Sequence, residues 1–315
     1  MSAQELSSRA IIGMYYQALE TQTAAGWIDA ISNYFTSDQA SESYKWLSMV
    51  PALQEWVGGR NAKGFTTNGI DIANKLFEAT IDILLKDLRR DKTGQLQARL
   101  NEFAERGNTH FASLLSTLIV NGESTLCYDG EYYFDTDHSE GESGAQSNLI
   151  TTDISALPAK THGVVTLPSP EEMQQAILKS IGQMYTFVDD QGEPLNETAN
   201  SFLVMVPVGL QFVTQSALTM VREAAASTFD MENLTIRAAV NPRLTTAGWT
   251  DKFATFRTDG SIKSLIRQEE TKPELKVKGE DSEYAFDNNA IQIGVDTSRN
   301  VGYGRWQGAV LNTLV

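Results

Sequence analysis

The clearest alternation of apolar and polar positions lies between Leu76 and Ile83. The apolar members are Phe77, Ala79, Ile81 and Ile83, and the polar members between them are Glu78, Thr80 and Asp82. Successive side chains of a strand point to opposite faces of the sheet. This period of two therefore predicts a strand with one solvated face.

Helical spacing dominates two other stretches of the first half. Thr93 to Asn121 predicts one long helix that ends at Gly122, with a bend at Gly107-Asn108. Its apolar stripe consists of Leu96, Leu100, Phe103, Phe111, Leu114, Leu115 and Leu118. Ser8 to Thr36 has the same spacing, interrupted at Gly26, and predicts an N-terminal arm of short helices.

The second half begins with a strong helix start at Ser169-Pro170-Glu171-Glu172, in which serine caps the helix and the second glutamate completes a capping box. Phe202 to Val208 predicts a buried strand, Phe212 to Ala226 a helix and Leu234 to Val240 another strand. After Thr246, strands alternate with charged turns. The whole pattern predicts a mixed α+β protein built from packed layers.

Composition limits the classes of function. A chain of 315 residues with 41% apolar and 21% charged residues has ample length for a core, in one large or two joined domains. Its formal net charge of -15 is the wrong sign for a protein that binds nucleic acid by neutralising phosphates. A container for nucleic acid needs no such attraction, so enclosure of DNA without sequence-specific binding stays open.

The single cysteine and the N-terminus bear on the compartment. Cys127 cannot form an internal disulfide, and its apolar neighbours predict a buried, unreactive thiol. Met1 to Ala10 has no signal-peptide core, and no run of about 18 apolar residues could span a bilayer. We expect a protein made in the cytoplasm, without a membrane partner.

Candidate chemistry is sparse. Asp135, Asp137 and His138, with Glu140 and Glu142 nearby, could bind a divalent cation, but a solvated acidic loop is the preferred interpretation of this polar stretch. Nucleophile-elbow and P-loop motifs are missing. Gly302-Tyr303-Gly304 is interpreted as a tight turn and not as a dinucleotide fingerprint. We predict no catalytic residues, no metal and no cofactor.

Two other features suggest contacts between subunits. The aromatic residues from Tyr44 to Trp56 have little core of their own, and aromatics are enriched in interfaces, so an interface is favoured over a ligand cage. The glycine- and asparagine-rich stretch from Gly58 to Gly69 predicts a protruding hairpin loop. Arg267 to Glu283 mixes both charges, which is typical either of a solvated strand pair or of complementary charge between subunits.

An ordered set of motifs resembles the major head subunit family of Mu-like phages and prophages. In the first half these are Tyr44-Lys-Trp-Leu, Leu53-Gln-Glu-Trp-Val-Gly-Gly-Arg60, Phe77-Glu, Arg90-Asp, Cys127-Tyr-Asp-Gly and Phe134-Asp-Thr-Asp-His138. In the second half they are Pro242-Arg-Leu, Trp249, Ile266-Arg-Gln-Glu, Pro273, Gly294-Val-Asp and Gly302-Tyr-Gly-Arg-Trp-Gln307. Gly59 departs from the family, which more often has an acidic residue there.

The resemblance implies the Hong Kong 97-type (Johnson) major capsid fold. It implies an N-terminal arm, an extended hairpin loop, a peripheral domain with a long spine helix, an axial domain and C-terminal strands that return to both domains. The corresponding residues are 1-50, 51-84, 85-168, 169-260 and 261-315. The implied interface residues are Trp46, Trp56, Gly58, Gly59, Arg60, Lys63, Phe65, Arg267, Glu269, Glu270 and Lys272.

The function implied by the resemblance is that of a virion shell protein. The chain is expected to assemble with itself into hexamers and pentamers of an icosahedral shell in the host bacterial cytoplasm. Its expected partners are scaffold and portal proteins and the enclosed DNA, and a decoration protein is left open. The rival hypotheses are a metal-dependent hydrolase that uses Asp135, Asp137 and His138, and a phage structural protein of small rings.

Overall fold

The computed structural model describes residues 8–21, 25–45, 69–90, 94–227 and 234–315. The helices are α1 Ser8–Thr21, α2 Ile28–Ile31, α3 Leu85–Arg90, α4 Gln95–Val120, α5 Pro170–Tyr185, α6 Gln211–Ser227, α7 Pro242–Thr246 and α8 Glu283–Asn288. The strands are β1 Ser32–Thr36, β2 Ser41–Tyr44, β3 Ile70–Ala73, β4 Lys75–Leu84, β5 Leu149–Thr152, β6 Ser201–Val206, β7 Thr235–Val240, β8 Lys252–Arg257, β9 Leu265–Lys278, β10 Ala290–Tyr303 and β11 Ala309–Leu314.

Two larger sheets organise the fold. The first has the order β1-β9-β10-β4, in which β1 runs parallel to β9 and the other neighbours are antiparallel. The second has the order β5-β11-β8-β6-β7, in which only β8 is antiparallel to the rest. A small sheet of β2 and β3 completes the arrangement. The mixed α+β prediction is confirmed.

Helix α4 connects the cores of both large sheets. Its first half buries Leu96, Leu100 and Ala104 with residues of α1, β4 and β10. Its second half buries Leu115 and Ile119 in the main core, which also contains the second sheet. The long helix predicted from Thr93 to Asn121 is therefore present, and it runs without a break through Gly107 and Asn108.

The start of α5 follows the predicted capping box. The Ser169 hydroxyl accepts a hydrogen bond from the backbone N–H of Glu172, and the Glu172 carboxylate accepts from the backbone N–H of Ser169. These reciprocal bonds satisfy two backbone donors that a helix start leaves open. The strands predicted at Leu76 to Ile83, Phe202 to Val208 and Leu234 to Val240 correspond to β4, β6 and β7.

Two local predictions were wrong, and one helix was missed. Ser32–Thr36 is the strand β1 and not part of a helical arm, because it pairs in register with β9. Gly302 and Tyr303 end β10 and do not form a turn. A Cβ atom on Gly302 would lie 2.3 Å from Cδ1 of Ile72, so the glycine allows β3 to approach β10 closely. The pattern also missed α8, the short helix between β9 and β10.

Candidate functional site

Four of the predicted interface residues lie on β9, and the structure separates them by the face of the strand. Arg267 and Glu269 point inward, whereas Glu270 and Lys272 are exposed. Seven others lie outside the described residues, namely Trp46, Trp56, Gly58, Gly59, Arg60, Lys63 and Phe65. The described part of the predicted interface therefore has an inner half, formed by Arg267 and Glu269, and an outer half, which includes Glu270 and Lys272.

The inner half begins with Arg267, which holds β9 against three neighbouring elements. Its guanidinium forms a salt bridge with Asp29 of α2. It also lies 5.4 Å from the ring centroid of Tyr34 on β1 and 5.5 Å from that of Phe111 on α4. A guanidinium at this distance from an aromatic face is attracted by the ring quadrupole.

Glu269 continues the inner half with a second set of bonds. Its carboxylate accepts a hydrogen bond of 2.5 Å from the Tyr34 hydroxyl and lies 3.8 Å from Nη1 of Arg299 on β10. Burial and the bond to Glu269 raise the pKa of Tyr34 to about 12, so this hydroxyl remains a donor at neutral pH. Arg299, Glu269 and Tyr34 thus link β10, β9 and β1 across the first sheet.

The outer half is a row of exposed charges along β9. Alternate residues face solvent, and they are Glu270, Lys272, Glu274, Lys276 and Lys278. Lys276 pairs with Asp296 at 2.7 Å. Ser298 donates a 2.5 Å hydrogen bond to Glu270. A strand face of alternating sign can meet a surface of complementary charge, which contributes specificity more than affinity.

The structure separates the predicted metal ligands. His138 is fully buried, and its Nδ1 lies 2.7 Å from Oδ2 of Asp129. Asp135 and Asp137 group instead with Glu131 nearer the surface. The prediction that this polar stretch is a solvated surface loop was wrong for His138 and Asn148, which are both 0% exposed.

We name the buried group around this ring the histidine box; its members are Cys127, Asp129, His138, Asn148 and Trp306. Nε2 of His138 lies 3.3 Å from Oδ1 of Asn148. That oxygen also accepts from the backbone N–H of Asp135, and Nδ2 of Asn148 donates to Tyr133. The amide orientation is therefore fixed.

Both ring nitrogens of His138 consequently face acceptors. A proton on Nδ1 lets the ring donate to the buried Asp129 carboxylate, which is a charge-assisted hydrogen bond. The indole of Trp306 stacks on the imidazole with centroids 4.0 Å apart and planes 8° from parallel. This stacking packs the imidazole against the indole inside the core.

The remaining member of the histidine box is a poor nucleophile. The Cys127 thiol donates to Oδ1 of Asp129 at 2.9 Å. Burial and the nearby Asp129 carboxylate raise the pKa of this thiol far above its usual range. The thiolate is the reactive form of cysteine, so the surroundings of Cys127 in the histidine box disfavour that form. The predicted burial of Cys127 is confirmed.

The histidine box should make stability depend on acid. Burial alone would raise the pKa of Asp129, but hydrogen bonds from His138 and Cys127 outweigh it and lower the pKa. A carboxyl whose pKa is lower in the folded protein stabilises it above the unfolded pKa of about 3.9. This stabilisation is lost as the pH falls through the folded pKa.

Urea unfolding at a series of pH values below neutrality checks this prediction. Asp129→Asn should flatten the acid-induced loss of stability in the window between the two pKa values. Asp137→Asn is the control, because the hydrogen bond and charge of Asp135 raise the pKa of Asp137 in the folded protein. If Asp129→Asn and the unchanged protein lose the same stability as the pH falls, Asp129 is not the source of the acid dependence.

The sequence pattern did not single out the apolar side chains that the structure exposes. Phe286 on α8 and Phe212 on α6 are 91% and 76% exposed, and Val164 and Leu167 protrude together before α5. Phe286 and Phe212 lie on regular helices, so periodicity alone does not reveal their exposure. Among the described helices, none is long and apolar enough to cross a membrane.

Comparison with solved structures defines the class of fold. The chain superposes on a subunit of the procapsid of bacteriophage JBD30 with a TM-score of 0.56 and 23% identity, over 96% of this chain and 72% of that one. It also superposes on the capsid of cyanophage P-SCSP1u with a TM-score of 0.56 and 11% identity, over 93% and 89% of the two chains. The fold is that of phage capsid proteins of the Hong Kong 97 type.

The family follows from the sequence match. The model of the Mu-like prophage major head subunit gpT family matches residues 8–157 and 244–313, and the chain belongs to this family. The chain is 32% identical over 111 residues to the Mu-like prophage FluMu major head subunit of Haemophilus influenzae, covering 35% of this chain and 36% of that protein. It is 30% identical over 145 residues to the major capsid protein of Escherichia phage Mu, covering 44% and 48%. The matched segments thus span about a third to a half of these relatives.

Proposed function

We propose that this chain is the major capsid protein of a Mu-like tailed phage and assembles with itself into the icosahedral shell of the virion. The observation that carries the proposal is the family match over residues 8–157 and 244–313, which includes β9, β10 and the histidine box. The phage-capsid fold supports it independently. Hexamers and pentamers of the subunit would form the shell, assembled in the bacterial cytoplasm.

The same proposal assigns no catalytic role to the chain. Its single thiol is held protonated by burial and Asp129. The three residues of the rival hydrolase hypothesis do not converge, because His138 turns into the core while Asp135 and Asp137 lie with Glu131. Scaffold and portal proteins are the proposed partners during assembly. The DNA inside would be enclosed without sequence-specific binding, in keeping with a net charge of -15.

Electron microscopy of the expressed full-length chain tests this function. Closed or aberrant shells, alone or with a scaffold protein, are the expected result. Discrete small rings or monomers under all conditions would instead favour the rival hypothesis of a small-ring structural protein. The unchanged protein should show no metal-dependent hydrolysis. An activity that the triple variant Asp135→Ala, Asp137→Ala and His138→Ala abolishes would favour the hydrolase hypothesis instead.

We further propose that the outer half of β9 contacts a neighbouring subunit, together with the predicted residues outside the described ranges. Lys272→Glu should reduce the yield of shells at low salt, because it reverses a charge within an alternating row. The side chain is exposed, so the thermal unfolding of the free subunit should stay nearly unchanged.

Sedimentation of assembled particles at two salt concentrations measures the effect. Arg222→Glu on α6 is the matched control, because it also reverses an exposed positive charge but lies outside the first sheet. If Lys272→Glu and the control give equal yields of particles at low salt, the outer half of β9 is not an interface. That result would not affect the family membership.

A further inference from the structure

A cavity of about 240 Å³ lies between α1, α4 and the edge of the first sheet. Its wall is mostly apolar and includes Phe77, Phe103 and Val295. Its mouth lies beside β4, which is an edge strand. Ala79 of β4 is exposed there, whereas Phe77 and Ile81 on the same face of the strand are half-buried. An apolar cavity of about 150 Å³ is enough to bind benzene, so this one has room for a substituted ring.

Three polar groups line the cavity without hydrogen-bond partners among the described residues. They are the Tyr15 hydroxyl, Nδ1 of His110 and Nε of Arg299. Tyr15 and Arg299 are 0% and 3% exposed. A buried polar atom that is left unpaired costs free energy, so buried groups in proteins normally have a partner. A partner inside the cavity would satisfy all three.

Tyr15 and Arg299 both lie close to Gly107 of α4, which also lines the cavity. Nη2 of Arg299 donates to the carbonyl oxygen of Gly107 at 3.5 Å. A Cβ atom on Gly107 would lie 3.5 Å from the Tyr15 hydroxyl. His110 follows three residues later on the same helix, where residues three apart are neighbours.

All three groups can donate at once, and one of them is charged. Nη1 of Arg299 forms a salt bridge of 3.8 Å with Glu269, whereas its Nε has no hydrogen-bond partner among the described residues. Burial raises the pKa of Tyr15 to about 12, and burial and Arg299 lower the pKa of His110 to about 4. Tyr15 is therefore a neutral donor, and a neutral His110 can carry its proton on Nδ1.

We propose that this cavity binds a small aromatic carboxylate, with the ring between Phe77, Phe103 and Val295 and the carboxylate facing Arg299, Tyr15 and His110. The apolar wall accommodates the ring, and three donors around one cation match the acceptor oxygens of an anion. A neutral aromatic molecule would fill the same space but would offer these donors no charged acceptor oxygens. The site is independent of the proposed shell contacts of β9.

Binding of benzoate to the purified full-length chain tests the proposal, measured by titration NMR at millimolar concentrations with benzyl alcohol as the neutral comparison. Benzoate should bind at least about ten-fold more tightly than benzyl alcohol, since hydrogen bonds to charged groups are the stronger ones. The ring nitrogen signals of His110 should move with benzoate. Binding of the two probes with equal affinity would overturn the carboxylate assignment.

Two variants locate the binding. Tyr15→Phe keeps the buried ring and removes only the hydroxyl, so it should weaken benzoate binding about ten-fold. Ala79→Leu adds apolar volume at the exposed mouth without disturbing the core and should abolish binding. Unchanged affinity in Ala79→Leu, or no benzoate binding to the unchanged protein, would overturn the site.

Discussion

Replacing His138 with alanine should lower the free energy of unfolding by about 3–5 kcal/mol, the usual cost of leaving a buried charge without its partner. The substitution leaves the Asp129 carboxylate buried, with its side chain 2% exposed, and takes away its 2.7 Å partner. It also leaves a gap under the Trp306 indole. Both effects act in the main core, so the loss is expected at the high end for a single substitution.

The chain offers a matched control in a second histidine–carboxylate pair. Nδ1 of His162 lies 2.9 Å from Oε1 of Glu172, but the His162 side chain is 49% exposed. His162→Ala should cost at most about 1 kcal/mol, because solvent screens the pair and Glu172 keeps its bonds from two backbone N–H groups. Urea unfolding of the free subunit measures both. Similar losses for the two variants would show that the histidine box adds no stability beyond an ordinary contact.

A second large loss is expected for Arg299→Met, about 3 kcal/mol, because it leaves the Glu269 carboxylate buried without a cation. Glu269 is 7% exposed and Arg299 3%. Methionine has a similar reach and fits apolar surroundings, so the loss reports the unpaired charge more than a cavity. Thermal or urea unfolding of the free subunit provides the measurement.

The double variant Arg299→Met with Glu269→Gln separates charge from packing. Glutamine can still accept the hydrogen bond of the Tyr34 hydroxyl, and it carries no charge. Stability should therefore recover most of the loss seen in Arg299→Met alone. If the double variant is as unstable as the sum of both single variants, the two side chains act independently and the link across β9 and β10 is an ordinary contact.

Local rules predicted the regular elements well. The period of two in β4, the apolar stripe of α4 and the capping box of α5 depend on residues a few positions apart, so the sequence alone specifies them. Strand β1 depends instead on pairing with β9, from Ser32 opposite Leu265 to Thr36 opposite Glu269. Such long-range pairing overrides local helical spacing, and no short window reveals it.

The candidate sites show the same division. Burial of Cys127 follows from its apolar neighbours. Burial of His138 depends instead on Trp306, a residue distant in the sequence that the fold places over the ring. A run of acidic and small polar residues around His138 is typical of a solvated loop, and its local composition carries no sign of that contact. The predicted interface residues of 46 to 65 and the proposed domain limits remain predictions.

The order of strands in the second sheet has a consequence for incomplete polypeptides. Residues Ala309–Leu314 form β11, which lies between β5 and β8 inside the sheet although it is the last of the five strands in the sequence. A polypeptide interrupted anywhere before these residues lacks an interior strand and leaves β5 without its partner. Truncated products would therefore leave β5 and β8 with unpaired edges, and such edges promote pairing with other chains.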